Sequence, residues 1–195
     1  MWEQSKSAKR RFYDGNFHSR YFAGHGIDIG GAPDPLSQYI GIFPKMLSVR
    51  IWDLNDGDAR YMNGVPDNQF DFLHSSHCLE DIEEPYDAMN HWIRIVKPGG
   101  FLVITVPDED LYEQGHWPSR FNPMHKWTFT IYKKASWSVR SVNLLDLLIH
   151  FSDRTQIEKI QIQRDFFREA LVAQGTDQTR TPVAECCIEF ILQKR

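Results

Sequence analysis

The sequence predicts an α/β domain in which helices cover both faces of a mainly parallel sheet. Two observations predict this class: short apolar runs alternate with amphipathic segments, and several of the runs are apolar without interruption. Continuous apolar runs are typical of parallel strands that are buried on both faces. A third observation is the length of 195 residues, which fits one domain with a full core. We therefore treat residues 1–195 as a single domain.

Six segments are predicted as strands on the basis of apolar or alternating patterns: residues 25–29, 49–54, 70–75, 101–106, 157–162 and 184–192. The clearest is 101–106, because it is apolar and β-branched and lies between Gly99-Gly100 and Pro107. Residues 157–162 alternate between apolar and polar, as a half-exposed or edge strand does.

Two segments, residues 85–96 and 142–151, are predicted as helices. Pro85 suits the first helical position, and Lys97-Pro98-Gly99-Gly100 ends the first helix. Apolar side chains of each helix are expected to face the core; they are Tyr86, Met89, Ile93 and Val96 in the first, and Leu145, Leu148 and Ile149 in the second.

Composition and charge exclude several classes of function. The net charge of −4 predicts no nucleic-acid partner. No apolar run approaches the ~18 residues of a membrane span and no secretory signal follows Met1, so we expect a cytoplasmic protein without a membrane partner. The three cysteines form no C-x-x-C pair and the histidines show no zinc spacing, so no metal site is expected. The oligomeric state stays open.

The stretch Gly30-Gly31-Ala32 follows the first predicted strand, where an α/β sheet commonly binds its ligand. A dinucleotide fingerprint begun at Gly30 would need glycine at positions 32 and 35, which Ala32 and Pro35 occupy, and no Walker loop is present. Pyrophosphate binding is therefore disfavoured. A plain strand-to-helix turn is the alternative interpretation.

Acidic residues follow the second predicted strand. Asp53 lies 23 positions beyond Gly30, which suits an acceptor for the hydroxyls of a ribose. Asp58, beside Ala59, is placed to accept from the amine of an adenine. Taken alone, each aspartate is also typical of a turn or a helix cap.

The longest connection, residues 107–130, is predicted as a substrate-side loop. Its cationic residues alternate with Trp117 and Trp127, a combination that suits a polar or anionic ligand. The candidates for substrate binding are His116, Arg120, His125 and Lys126. A cap that pairs with Asp108, Glu109 and Asp110 and merely closes the site is the alternative.

The motifs "GIDIGG", "WDLNDGDA", "VPDNQFDFLHSSHCLEDIEEP" and "WIRIVKPGGFLVITVP" follow one another in this order. The chain resembles the class I S-adenosylmethionine-dependent methyltransferases, in particular the group with the type-11 methyltransferase domain. The segment "NPMHKWTFT" is similar to an N-P-x-H segment of that group. The resemblance implies a three-layer Rossmann-like fold with a mainly parallel seven-stranded sheet and an antiparallel last strand, which "AECCIEFIL" fits.

The resemblance also implies that S-adenosylmethionine is the cofactor. Asp28 and Gly30 would lie under its methionine part, Asp53 would bind the ribose, and Ser75 would lie near the sulfonium. The complete set implied to bind the cofactor is Asp28, Gly30, Gly31, Ala32, Asp53, Leu54, Asp58, Ala59 and Ser75. Because this cofactor has no phosphate, the missing phosphate fingerprint is compatible with it.

Three features depart from the family pattern. Ala32 and Asp34 stand where the family has glycine, and Asp81 stands where the family has histidine. The helix after the glycine turn is predicted to be weak, because Gly41 and Pro44 interrupt it.

The resulting hypothesis is methyl transfer to a small polar acceptor, such as a sugar or another hydroxyl-bearing metabolite. A general base assists an oxygen acceptor, and the candidates are His77, His125 and Asp108.

Residues 1–22 are interpreted either as a lid over the site or as a docked structural helix. One alternative function is a catalytically inactive, methyltransferase-like binding module that serves a partner enzyme. Another is a different Rossmann-type nucleotide enzyme, which the missing phosphate fingerprint disfavours.

Overall fold

The computed structural model describes residues 3–180 and 183–195, and it confirms the α/β class. Residues 1 and 2 of the N-terminal segment therefore lie outside the described residues. The strands are β1 Gly24–Ile29, β2 Met46–Trp52, β3 Phe70–Ser76, β4 Val96–Pro107, β5 Thr128–Thr130, β6 Ser141–Asn143, β7 Thr155–Gln163 and β8 Cys187–Lys194. The α-helices are α1 Glu3–Arg11, α2 Pro85–Ile95 and α3 Leu144–His150.

The main sheet has the strand order β2-β1-β3-β4-β8-β7. Strands β1 to β4 are parallel to one another, whereas β8 is antiparallel to both of its neighbours, β4 and β7. The prediction of a mainly parallel sheet with an antiparallel last strand is thus confirmed. Strands β5 and β6 form a separate two-stranded sheet.

The main sheet contains six strands in the described part of the chain, not the seven that the resemblance implies. The connection from β2 to β3, residues 53–69, consists of turns without a strand. It contains Gly57, Gly64 and Pro66, which favour turns over a ladder of backbone hydrogen bonds. One edge of the sheet is therefore β2, and the other is β7.

The helices α2 and α3 cover one face of the sheet. In the larger core, Trp92 of α2 packs in one cluster with Leu102 of β4 and Phe190 of β8. In α3 the buried residues are Leu144, Leu147 and Leu148, whereas Leu145 and Ile149 are 39% and 61% exposed. The predicted apolar stripe of this helix is therefore wrong at those two positions, because the helix begins at Leu144, after the Asn143 cap. Tyr86, predicted on the buried stripe of α2, is 38% exposed.

The opposite face carries a second apolar cluster, which includes Phe17, Phe22, Phe72 and Val103. A π-helical turn at Phe17–Tyr21 and a 3₁₀ turn at Leu36–Ile42 contribute to it. The 3₁₀ turn lies where the sequence predicts a weak helix that Gly41 and Pro44 interrupt. None of the helices in residues 3–180 and 183–195 is long and apolar enough to cross a bilayer.

Candidate active site

A cleft of about 640 Å³ opens where β1, β2 and β3 end, within the volume range of small-molecule sites. The lining residues that follow β1 and β2, which we call the cofactor wall, include Gly30, Ala32, Asp53, Leu54, Asp58 and Ala59. Three lining residues that follow β3, together with Lys126, are called the acceptor wall; they are His77, Cys78 and Asp81. Both names refer to roles that are proposed below. The remaining lining residues are Trp52, Gly57, Arg60, Ile82, Glu83 and Met124.

The glycine turn contributes the half-buried backbone of Gly30 to the cofactor wall, with Gly31 buried behind it. Gly30 has φ +74°, and a Cβ on it would lie 2.8 Å from Cβ of Cys78. A Cβ on Gly31 would lie 2.6 Å from Oδ2 of Asp28. Side chains at these two positions would strain the backbone or displace their neighbours, so the turn requires glycine.

Asp53, directly after β2, is hydrogen-bonded to the turn that follows β1. Its Oδ2 accepts the N–H of Ala32 at 3.0 Å, and its Oδ1 accepts the N–H of Leu54 at 2.8 Å. The residue is half-buried, and a carboxylate has about four acceptor positions, so two remain for hydroxyl donors. Asp58 is exposed on the same wall, where its Oδ1 accepts the N–H of Arg60 at 2.8 Å.

Three of the residues implied to bind the cofactor lie beneath the cleft and do not line it: Asp28, Gly31 and Ser75. Asp28 accepts the N–H of Leu36 at 2.7 Å and contacts Nδ1 of His74 at 2.6 Å. The hydroxyl of Ser75 donates to the carbonyl of Ile29 at 3.0 Å. These side chains support the cofactor wall from below.

His77, one of the candidate bases, lies on the acceptor wall with φ +54°. Its Nδ1 is 3.3 Å from Oε1 of Glu80, and its Nε2 is 3.6 Å from Oε2 of Glu3. Burial lowers the pKa of His77, but the hydrogen bond and charge of Glu80 outweigh it and raise the pKa above its usual value. Glu80 therefore favours the protonated form of His77.

Asp81, four residues further along the chain, also lines the cleft. Burial and the charge of Glu80 raise the pKa of Asp81 to about 6. Its Oδ1 has no hydrogen-bond partner among residues 3–180 and 183–195. The same surroundings raise the pKa of Cys78, so that side chain is a neutral thiol and not a nucleophilic thiolate.

The other two candidate bases do not line the cleft. His125 is buried, and its Nδ1 lies 2.6 Å from Oε1 of Glu113 while its Nε2 faces Glu80 at 3.8 Å. Burial lowers the pKa of His125, but Glu113 and Glu80 together raise it. Asp108 is buried and caps a π-helical turn by accepting the N–H groups of Asp110 and Leu111, both at 3.0 Å. Burial raises the pKa of Asp108 to about 6.

The four candidate substrate-binding residues are not brought together. His116 and Arg120 are exposed away from the cleft, and Arg120 donates to Oε1 of Gln114 at 3.1 Å. Only Lys126 lines the cleft, with its Nζ 3.2 Å from Oε2 of Glu83. Glu109 and Asp110 pair with Lys133, which lies outside the predicted loop.

Sequence reasoning missed Asp81 as a site residue and treated it only as a departure from the family pattern. The available signal was its place soon after β3, where functional side chains of such sheets cluster. It also missed Trp52, whose Nε1 donates to the carbonyl of Gly57 at 3.1 Å and so holds the turn after β2.

No group of three or more His, Cys, Asp or Glu side chains in the described ranges is arranged to hold a metal ion.

The fold is similar to that of several solved structures, whose low sequence identity shows the fold alone. One is an S-adenosylmethionine-dependent methyltransferase from Archaeoglobus fulgidus, with 14% identity, 99% of this chain and 95% of that one covered, and a TM-score of 0.58. Another, from Mesorhizobium loti, has 13% identity, coverages of 90% and 93%, and a TM-score of 0.50. The [4+2]-cyclase SpnF also matches, with 14% identity, coverages of 97% and 81%, and a TM-score of 0.53. The fold thus occurs with more than one chemistry.

The family comparison goes further than the fold. No curated protein sequence matches the chain. The family model of the methyltransferase domain matches residues 10–160, which is most of the chain and includes both walls of the cleft. This match confirms the resemblance found in the motifs: the chain belongs to the methyltransferase domain family, as an enzyme whose cofactor is S-adenosylmethionine.

Proposed function

We propose that this enzyme transfers a methyl group to a small polar acceptor, such as a sugar or another hydroxyl-bearing metabolite, bound against the acceptor wall. The observation that carries the proposal is that one cleft is lined by two chemically different groups of residues. The segments after β1 and β2 contribute glycine backbone, Asp53 and Asp58, whereas the segment after β3 contributes His77 and Asp81.

The cofactor wall fits S-adenosylmethionine. Its glycine turn leaves a surface that a Cβ at Gly30 would disturb, and Asp53 keeps acceptor capacity for the ribose hydroxyls. Asp34, which would oppose the cofactor's carboxylate if it faced the cleft, is instead held by Ser5 and Tyr39 at 2.8 and 3.0 Å. Ala32 is exposed at the cleft and bonds through its backbone to Asp53. Neither departure from the glycine pattern obstructs the wall.

The chain's own residues would mainly bind and orient the two reactants. Asp53 would hold the ribose, and Asp58 with Ala59 would contact the adenine. When bound, S-adenosylmethionine supplies an electrophilic methyl group. Holding an acceptor oxygen in line with that group lowers the entropic part of the barrier.

Asp81 is the better proton acceptor of the two titratable groups on the acceptor wall. With a pKa of about 6 it is deprotonated at pH 7, whereas Glu80 raises the pKa of His77 and so favours its protonated form. We therefore assign Asp81 as the base that would take the proton of the acceptor's hydroxyl group, so that this oxygen can accept the methyl group in place of the sulfur and S-adenosylhomocysteine can leave.

Calorimetric titration with S-adenosylhomocysteine tests the cofactor part of the proposal. The wild type should bind it, and Asp53→Ala should weaken binding by roughly 10- to 100-fold, since hydrogen bonds to a charged acceptor contribute about 1.5–3 kcal/mol. Asp153→Ala, which removes an exposed carboxylate away from the cleft, is the matched control and should change nothing. A wild type without binding heat, or with NAD or ATP binding in its place, would contradict the proposal.

A panel of sugars and other hydroxyl-bearing metabolites tests the acceptor part. Release of S-adenosylhomocysteine with one class of acceptor is the expected result. Tight cofactor binding without turnover on any member of the panel would instead support the binding-module alternative.

A further inference from the structure

Buried polar side chains form a line across the face of the sheet that α1 covers. Asp28 of β1, His74 of β3, Thr105 of β4 and Glu189 of β8 contribute one side chain each, and all four are at most 2% exposed. None of them lines the cleft. Buried polar groups that make a complete network are costly to disturb, so such a line calls for an explanation.

Arg11, at the end of α1, connects this line to the N-terminal helix. It is completely buried, its Nε donates to Oε2 of Glu189 at 2.8 Å, and its Nη2 donates to Oγ1 of Thr105 at 3.2 Å. Its Nη1 lies 3.0 Å from Nε2 of His74. One guanidinium therefore contacts three strands of the sheet.

The chemistry of the guanidinium fixes the protonation of His74. Arginine has donors and no acceptor, so Nε2 of His74 must accept and the ring proton must be on Nδ1. Nδ1 then donates to Oδ1 of Asp28 at 2.6 Å. Burial lowers the pKa of His74, although the charge of Asp28 opposes this effect, in agreement with a neutral ring. Arg11, His74 and Asp28 thus form a directional chain, which we call the relay.

The relay ends at the cofactor loop, residues 30–36. The second oxygen of Asp28 accepts the N–H of Leu36 at 2.7 Å, and the same oxygen packs against Gly31. A second link from α1 reaches the same loop, because Oδ2 of Asp34 accepts both the N–H and the hydroxyl of Ser5 at 2.8 Å. The element after the loop is only the 3₁₀ turn Leu36–Ile42, so α1 holds a loop that a long helix would otherwise stabilise.

We propose that Arg11 and His74 are positioning residues that hold the cofactor loop through Asp28, so that cofactor affinity depends on the docking of α1. The statement about affinity rests on the proposed function, whereas the statement about the loop does not. In this account α1 is part of the cofactor site although it contributes no residue to the cofactor wall.

Arg10→Met is a matched control for Arg11→Met. Arg10 is on the same helix and also pairs with Glu189, at 3.0 Å, but it makes no contact with His74. Hydrogen exchange of the loop amides, measured without cofactor, should be at least ~10-fold faster in Arg11→Met and within ~3-fold of wild type in Arg10→Met, once global stability is matched by temperature. Affinity for S-adenosylhomocysteine should follow the same order. Equal loop exchange in the two variants would overturn the proposal.

Two further variants separate the bonds of His74 and serve if Arg11→Met does not fold. His74→Asn keeps a donor at the position of Nδ1, facing Asp28, whereas His74→Gln keeps an acceptor at the position of Nε2, facing Arg11. The relay predicts that His74→Asn protects the amide of Leu36 better than His74→Gln does. A purely structural role, in which only Arg11 needs its partner, gives the opposite order. Hydrogen exchange is measured without cofactor. If the wild type fails to bind S-adenosylhomocysteine, the proposed function is overturned, but the exchange rates still test the relay.

Discussion

The two walls of the cleft differ in how their polar groups are satisfied. On the cofactor wall, Asp53 and Asp58 accept backbone N–H groups at 2.8–3.0 Å. On the acceptor wall, Nε2 of His77 and Oδ1 of Asp81 are buried and lack a hydrogen-bond partner within residues 3–180 and 183–195.

The two walls therefore differ in how far their polar groups are ordered before a ligand binds. Backbone hydrogen bonds fix the cofactor wall before any ligand arrives, which reduces the entropy lost on binding. Unpaired buried polar groups are costly, so the acceptor wall is the less well satisfied part of the cleft. The shifted pKa values of His77, Cys78 and Asp81 all belong to the acceptor wall.

The largest effect is expected for Asp81→Asn on turnover. Removing the base should lower the rate of methyl transfer to a hydroxyl acceptor by roughly 10²- to 10⁴-fold, the usual contribution of general-base catalysis. Affinity for S-adenosylhomocysteine should stay within about 2-fold, because the side chain belongs to the acceptor wall. Steady-state kinetics and calorimetry on the same preparation measure both quantities.

Glu83→Gln is the control for this variant, since Glu83 lines the same cleft but is exposed and pairs with Lys126. It should leave the rate within about 3-fold of wild type. Equal losses in the two variants, or a large loss of cofactor affinity in Asp81→Asn, would remove the distinction between the walls.

The next effect concerns the backbone of the cofactor wall. Gly30→Ala combines a positive φ with a Cβ placed 2.8 Å from Cβ of Cys78, so it should weaken S-adenosylhomocysteine binding by at least ~10-fold and destabilise the protein by about 2 kcal/mol. At Gly41, by contrast, an added Cβ meets no atom within 4 Å. Gly41→Ala should therefore be neutral or slightly stabilising. Unchanged binding by Gly30→Ala would show that the turn does not contact the cofactor.

A smaller effect of Asp81→Asn is expected on the free energy of unfolding. The pKa of Asp81 rises from about 3.9 in the unfolded chain to about 6 in the folded protein, so between these values the folded state binds more protons and stability falls as pH rises. Asp81→Asn should therefore raise the free energy of unfolding at pH 7 by about 1 kcal/mol, a value reduced for partial exposure to solvent. The gain should vanish near pH 4. Denaturant unfolding at the two pH values measures it, and a variant less stable than wild type at pH 7 would contradict the assignment.

The smallest effect distinguishes the loop cations. Lys126 lines the cleft and Arg120 does not, so Lys126→Met should raise the KM for the acceptor by about 3-fold while Arg120→Met leaves it unchanged. The effect is small because Lys126 is partly exposed and already paired with Glu83. A larger rise in KM for Arg120→Met would restore the predicted cluster of loop cations.

Much of the fold follows from local sequence patterns. Runs such as residues 101–106 predict buried strands, and Pro85 marks the start of α2 as observed. The interrupted segment around Gly41 and Pro44 predicts a weak helix, which is a 3₁₀ turn in the structure. These elements can be predicted because each depends on residues that are neighbours along the chain.

The site is harder to predict, because its contacts join distant parts of the chain. Nothing near His125 in sequence indicates that its Nε2 faces Glu80, or that Glu113 holds its Nδ1. Likewise, the pKa of Asp81 depends on its burial in the fold and on the charge of Glu80. Sequence position indicated the strand ends at which the cleft lies, whereas only the packed structure decides which side chains there reach it.

A crystal structure with S-adenosylhomocysteine tests the central claim most directly. The account predicts ribose hydroxyls within about 2.5–3.0 Å of the Asp53 carboxylate, the adenine beside Asp58 and Ala59, and the sulfur facing His77 and Asp81. A ligand bound outside this cleft, or one whose sulfur faces away from the acceptor wall, would contradict it.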